Sequence, residues 1–360
     1  MDNRDKMKNI MQSFTSSSLR IFAGMSFFCL MLCTFSCEKY IFGVEYTNEP
    51  EDNFESLWSE FDQMYGLFKV RNVDWEAVYD QYRPLVSPST SDEELYQVLV
   101  DMLGVLDDGH VILLPVGTGL PMYTGGPIGR IDTIQDFDID ILKENYLENP
   151  RETDFALLYG WLEDSIGYLH IYNFADGERA FEKEMEPVME YFENASGLVV
   201  DIRGGGGGED IAGKTIASYF TSQRRLYMTT SIKNGPGPDD FTTPEQWFIS
   251  PKGDQPFTRP VVLLTNRLTI SARETFALAM RTLPQVSSIG DTTAGAFSNL
   301  VLREMPNGWG YSMSIGDWRA ADGTSFEGIG LPPDELIQNK RSDLLNGKDE
   351  VLERALELLR

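Results

Sequence analysis

Two hydrophobic rhythms divide most of the chain. Across residues 54–106 apolar side chains recur at three- and four-residue spacing in FESLWSEFDQMYGLF, WEAVYDQYRPLV and SDEELYQVLVDMLGVL. Cap and turn signals at Asn72-Val73-Asp74 and Pro88-Ser89-Thr90-Ser91 separate the three runs, so the pattern predicts three amphipathic helices. From Gly160 the rhythm changes to short apolar runs alternating with helical stretches. Strands are expected at 166–172, 197–202, 261–264 and 286–290, and helices at 178–194, 210–220 and from Ser271 onward. A hairpin at 301–315 and an amphipathic helix at 349–359 complete the series. Buried strands alternating with helices predict an α/β fold, a mainly parallel sheet with helices on its faces, behind a small helical bundle. Residues 115–155 are Gly- and Pro-rich and then acidic, and read as an irregular connection; 221–259 reads as a long insertion with turn chemistry.

The N-terminus follows a different logic. Arg4, Lys6, Lys8 and Arg20 precede an apolar segment, 21–35, that is short for a membrane span and suited to a signal-peptide core. All three cysteines, Cys29, Cys33 and Cys37, lie here. Thr34-Phe35-Ser36-Cys37 resembles a bacterial lipoprotein signal, with cleavage before Cys37 and lipid on that thiol. The expected organisation is a signal peptide at 1–36, a tether at 37–53, the helical bundle at 54–114, the irregular connection at 115–155 and an α/β domain at 156–360. The expected location is the cell envelope, periplasmic or surface-exposed, anchored through Cys37. A formal charge of −26 argues against nucleic acid and anionic membrane surfaces as partners.

Candidate chemistry gathers at strand ends. Ser271 follows the 261–264 run and opens a helical pattern, which sets a hydroxyl at a strand-to-helix turn beside helix N-terminal amides. With Glu274 it also fits a capping box. Residues 204–208 are five consecutive glycines directly after GLVVDIR, a run whose backbone N–H groups can converge on an anion. GEDIAGKT at 208–215 matches the phosphate-loop pattern, but Glu209 and Asp210 would repel a phosphate and Lys214 falls inside the expected helix, so nucleotide is excluded. The chain has two histidines. His110 ends a loop, Asp107-Asp108-Gly109-His110, placed to reach a cleft, and His170 reads as a packed or surface strand residue. Glu327 stands alone among the glycines of 322–334.

The motifs DDGH, GYLHIYNF, GLVVDIRGGGGG, VLLTNRLTISARE, IGDTTAGA and DGTSFEGIGLPPD, in that order, resemble the S41 peptidases: the C-terminal processing, tricorn-core and retinoid-binding-protein-like serine peptidases. The resemblance spans most of 54–360. It implies a crotonase/ClpP-like core, Ser271 as nucleophile, an oxyanion hole from Ala272, Gly206 and Gly207, and neither metal nor cofactor. The processing branch takes its base from a lysine where this chain has Gly295-Ala296-Phe297; the tricorn-like branch uses a histidine and a glutamate, which His110 and Glu327 match. Gly109 replaces the tricorn branch's supporting serine, Gly205 replaces the loop's usual asparagine, and no PDZ module is recognisable between His110 and Gly160. The resemblance implies hydrolysis of peptides or unfolded protein through an acyl-enzyme; the alternative is an inactive peptide- or ligand-binding lipoprotein on the same fold.

Overall fold

Helix α1 (Pro50–Met64) starts on a proline, whose missing N–H costs nothing in a first helical turn, so the helix takes in 50–53 from the stretch expected as tether. The structure is a computed structural model describing residues 46–129, 135–163 and 165–360, and Asn48–Arg360 form a single structural unit. The signal segment and Cys37 lie outside the described residues. Among the described residues no helix is long and apolar enough to cross a membrane.

A short helix, α2 (Phe68–Arg71), is followed by α3 (Trp75–Tyr82), capped by the Asp74 side chain, and α4 (Asp92–Gly104), opened by a Ser91/Glu94 capping box. Trp58 and Trp75 stack with planes 1° apart, and each donates its indole N–H to the other's carbonyl at 3.2 and 3.1 Å. Phe54, Leu57 and Phe61 of α1 and Leu95, Leu99 and Met102 of α4 supply the apolar stripe the periodicity predicts. Their core is completed from far along the chain by Trp309, Tyr311 and Met313.

The expected irregular stretch contains small elements. After β1 (Ile112–Leu114) come β2 (Tyr123–Thr124), α5 (Ile139–Asn145) and β3 (Glu148–Glu152), each too short to give a periodic signal. The chain then alternates through β4 (Leu157–Glu163), β5 (Ile166–Ile171), α6 (Glu178–Tyr191), β6 (Gly197–Asp201) and α7 (Asp210–Ser218). The 221–259 insertion holds β7 (Arg225–Ile232) and β8 (Glu245–Ile249). There follow β9 (Val261–Thr265), α8 (Ala272–Arg281), β10 (Val286–Gly290), β11 (Leu300–Glu304), β12 (Gly310–Ser314), β13 (Gly316–Ala320), β14 (Glu335–Leu336), α9 (Arg341–Leu345) and α10 (Glu350–Leu359).

Seven strands form the central sheet in the order β14-β10-β9-β6-β5-β4-β3. From β14 to β5 every pairing is parallel, and β4 and β3 add an antiparallel edge. Strands β5, β6 and β9 are buried at every position, as expected for parallel strands covered on both faces. A second sheet, β11-β12-β1-β2, carries the helical core, and a third, β13-β7-β8, uses the insertion.

One buried ion cluster ties the chain's end to the sheet. Arg203, just past β6, donates to Asp201 at 2.7 Å and forks onto both oxygens of Asp349 at 3.1 and 2.9 Å. Asp349 also accepts the Leu352 N–H at the start of α10, and Tyr168 donates its hydroxyl to Asp201 at 2.8 Å. Asp349→Ala would leave Arg203 buried with half its charge partners and α10 without its cap. We expect a loss of about 3–5 kcal/mol, readable by urea denaturation; a loss under about 1 kcal/mol would show that Asp201 alone satisfies the guanidinium.

Candidate active site

Strands β6 and β9 lie side by side in parallel register, Asp201 opposite Leu264. The segments leaving their carboxyl ends therefore emerge together, at the edge where open parallel sheets hold ligands. The glycine run leaves β6 and Ser271 follows β9. An isolated bridge between Gly205 and Thr269 draws the two segments together.

Ser271 has φ +59° and ψ −125°. An N-cap serine is ordinarily extended, so this backbone departs from the capping geometry; a strained strand-to-helix turn of this kind projects a side chain outward. A β carbon at Gly207 would come within 2.9 Å of both Ser271 Oγ and the Ala272 nitrogen, so only glycine allows the loop to approach so closely. Gly206 has open space where a side chain would be, on the exposed face of the loop. The structure thus brings Ser271, Ala272 and Gly207 together, with Gly206 beside them.

Helix α8 is buried from Ala272 to Met280, yet its first turn carries two charged side chains. The Glu274 carboxylate accepts N–H groups from Ser271 (3.1 Å), Gly295 (2.7 Å) and Ala296 (2.9 Å), and the hydroxyl of Thr293. It pins the 293–296 loop beneath the serine turn. Burial pushes its pKa up to about 7 against the pull of those donors. Arg273, fully buried, donates to the carbonyls of Gly206 (2.8 Å), Ile202 (2.8 Å) and Tyr172 (2.5 Å).

His110 is buried on the loop between α4 and β1. Its N–H goes to Asp108 Oδ1 at 2.8 Å, and its carbonyl accepts from Ser312 at 2.6 Å, which ties this loop to the second sheet. The ring's Nδ1 is buried with no hydrogen-bond partner among the described residues, so neither Ser271 nor Glu327 is bonded to it. Burial lowers the imidazole pKa below its ordinary value, with Asp108 pulling the other way. The slot where a side chain at Gly109 would begin is lined by Ile128 and Ala296, so an apolar contact fills the place that the resemblance assigns to a serine.

Glu327 is buried but engaged elsewhere. Its Oε2 accepts from Phe297 N (2.8 Å) and Ser298 N (3.1 Å), and its Oε1 accepts from Arg71 at 2.6 Å. Arg71 also donates to the carbonyls of Leu106 (3.2 Å) and Asp107 (2.6 Å) and lies 3.9 Å from Asp108. Tyr65 completes the cluster, its hydroxyl on Asp108 at 2.9 Å. Burial and Asp108 together raise Glu327 to about 8, against the pull of Arg71. Glu327 thus meets the histidine loop through Arg71, not through the imidazole.

His170 stacks on Phe137 with ring centres 5.4 Å apart, and burial takes its pKa to about 3: a packed, neutral strand residue. Sequence reasoning does not single out Arg71, Arg273 or Glu274 as site residues. Glu274 carries a signal, the capping-box spacing, but its wider role as a loop anchor depends on residues about 20 positions away. Among the described residues no cluster of His, Cys, Asp and Glu is arranged to hold a metal.

A parallel α/β sheet with a hydroxyl on a strained turn at its carboxyl edge, faced by a glycine loop, is the architecture of a serine-type hydrolase. Residues 165–337 match the family model for peptidase family S41, and residues 46–104 match that of the tricorn protease C1 domain. Carboxy-terminal processing protease CtpA of Bacillus subtilis is 26% identical over 202 residues, 56% of this chain and 40% of that protein. The chain spans less than half the length of the curated relatives it matches. A solved structure of a candidate peptidase from Parabacteroides merdae is 32% identical, with a TM-score of 0.77 over 87% of this chain and 97% of that one. Mature CPAF complexed with lactacystin shares the fold, with a TM-score of 0.65 at 12% identity over 87% of this chain and 97% of that one. The chain belongs to peptidase family S41, a family of serine-type peptidases.

Because Glu274 binds its proton more tightly folded than unfolded, its contribution to stability is fully present below about pH 4.5 and lost as pH rises through about 7. The shift corresponds to about 3 kcal/mol. Denaturation series should show stability falling across this window in the native chain and falling less in Glu274→Gln, with the remaining fall carried by Glu327; equal slopes would mean that Glu274 does not titrate in this window.

Proposed function

We propose that this protein is an exported serine endopeptidase that cleaves peptides or unfolded protein through an acyl-enzyme on Ser271. The observation that carries the reading is the strained Ser271 backbone with Gly207 and the Ala272 amide against its hydroxyl. A serine hydroxyl is a weak nucleophile until a base takes its proton, and His110, kept neutral by burial, is the base in this reading. The amides of Ala272, Gly206 and Gly207 receive the oxyanion, a role in which a single donor is worth roughly 3 kcal/mol.

Glu327 orients the base at one remove. It holds Arg71, Arg71 holds the Leu106 and Asp107 carbonyls, and Asp108 fixes the His110 backbone. The negative charge on Asp108 also favours the imidazolium that forms as Ser271 is deprotonated. The match of 46–104 to the tricorn C1 model supports the histidine-based branch over the lysine-based one. A lipid on Cys37, after removal of 1–36, holds the enzyme at the cell envelope.

The competing reading, an inactive binder on this fold, draws on the unpartnered Nδ1 of His110. The two separate on labelled casein. Ser271→Ala and His110→Ala should each remove activity by about 10⁴-fold or more, and the double variant should be no worse. Additive losses would mean that the two residues do not act as one unit; a native chain that neither cleaves casein nor traps an acyl group on Ser271 would favour the binder. The burial of His110 sets a further expectation: the acid limb of kcat/KM falls below pH 6.5, the ordinary histidine value. A midpoint above 6.5 would point to a different base.

A further inference from the structure

We infer that Arg273 is a positioning residue that holds the glycine loop in its oxyanion-binding form; this rests on the serine-peptidase reading above. Three observations combine. The guanidinium is fully buried, and no carboxylate lies within ion-pair distance of it among the described residues. It spends its nitrogens instead on backbone carbonyls: Nε on Gly206, Nη1 on Ile202 and Nη2 on Tyr172. Lastly, a β carbon at Gly205 would overlap Nη2 of Arg273, so the side chain occupies the space a larger residue at 205 would need.

Peptide geometry turns these contacts into a functional statement. In a trans peptide the C=O and N–H point in opposite directions. With the Gly206 carbonyl fixed on Arg273, the N–H of the same peptide, that of Gly207, points away from the guanidinium. The neighbouring Gly207 carbonyl is fixed as well, accepting from Phe174 N–H at 3.2 Å. A run of five glycines has many accessible conformations, and these two anchored carbonyls select one. The guanidinium also polarises the peptide it holds, drawing electron density toward the carbonyl and making the N–H a better donor. Burial lowers the Arg273 pKa to about 10, so the side chain stays cationic across the working range.

This arrangement also accounts for the glycine at 205. A loop that takes its order from an arginine on α8 has no room for an asparagine there, and Gly205 and Arg273 form one unit.

The test uses the folded chain, a fluorophosphonate probe that phosphonylates an activated serine, and labelled casein. In Arg273→Met the rate of phosphonylation at Ser271 and the kcat for casein should fall by roughly 30- to 100-fold, with KM nearly unchanged and the melting temperature within a few degrees of native. Gly205→Ala, which displaces the guanidinium while keeping it in the chain, should give a similar fall, and the double variant should lose little more than either single one. Native labelling rates in both single variants, or losses that multiply in the double, would overturn the inference while leaving Ser271 as nucleophile. A native chain that is labelled no better than Ser271→Ala would overturn the peptidase reading and this inference with it.

Discussion

Two adjacent charges at the start of a buried helix organise this molecule. Helix α8 has no solvent face from Ala272 to Met280, so Arg273 and Glu274 must find every partner inside the protein. Arg273 meets the segment that leaves β6, and Glu274 meets the segment that leaves β10. Those strands flank β9, the strand from which the Ser271 turn rises. The helix thus clamps a loop on either side of its own first residue. The strained backbone of Ser271 is sustained by this arrangement, because a residue in a sparsely populated conformation persists only where its surroundings over-determine it.

The histidine side is built from different materials. His110 stands at the junction of the helical core and the second sheet, and that core is closed by residues some 200 positions later: Trp309, Tyr311 and Met313. Arg71, at the end of a four-residue helix, connects this half to Glu327. The placement of His110 relative to Ser271 therefore depends on the packing of the N-terminal helices. Loosening the Trp58–Trp75 pair would reach the proposed base through Arg71 without touching any residue of the site.

The α/β core was legible because its signals are local. Buried parallel strands read as unbroken apolar runs, and β6 and β9 stand in the sequence as GLVVD and VVLLT. Ser271 and the five glycines were visible at the ends of those runs. The 115–155 and 221–259 stretches were not legible for the complementary reason. Strand β2 has two residues, and β7 takes its place between β8 and β13, the latter a partner whose register no local pattern encodes. Glu327 stood out as a carboxylate among glycines, but Arg71, its ion-pair partner, lies 256 positions earlier. What sequence cannot supply is the pairing of groups that only the folded chain brings together.

The distribution of charge around Ser271 links the two halves of the site. Behind the glycine loop sits a buried cation, Arg273, with no ion-pair partner among the described residues and separated from the proposed oxyanion position by one peptide group. Behind the histidine sit two carboxylates, Asp108 and Glu327, sharing one arginine. That cluster is negative overall when both acids are ionised, and the rise of Glu327 toward 8 reflects the strain of that state. On the proposed mechanism, attack by Ser271 creates a negative oxygen on the glycine side and a positive imidazole on the other. The Arg273 cation on one side and the Asp108 carboxylate, which favours the imidazolium, on the other match that separation in sign, and both are buried, so they need not reorganise as the reaction proceeds.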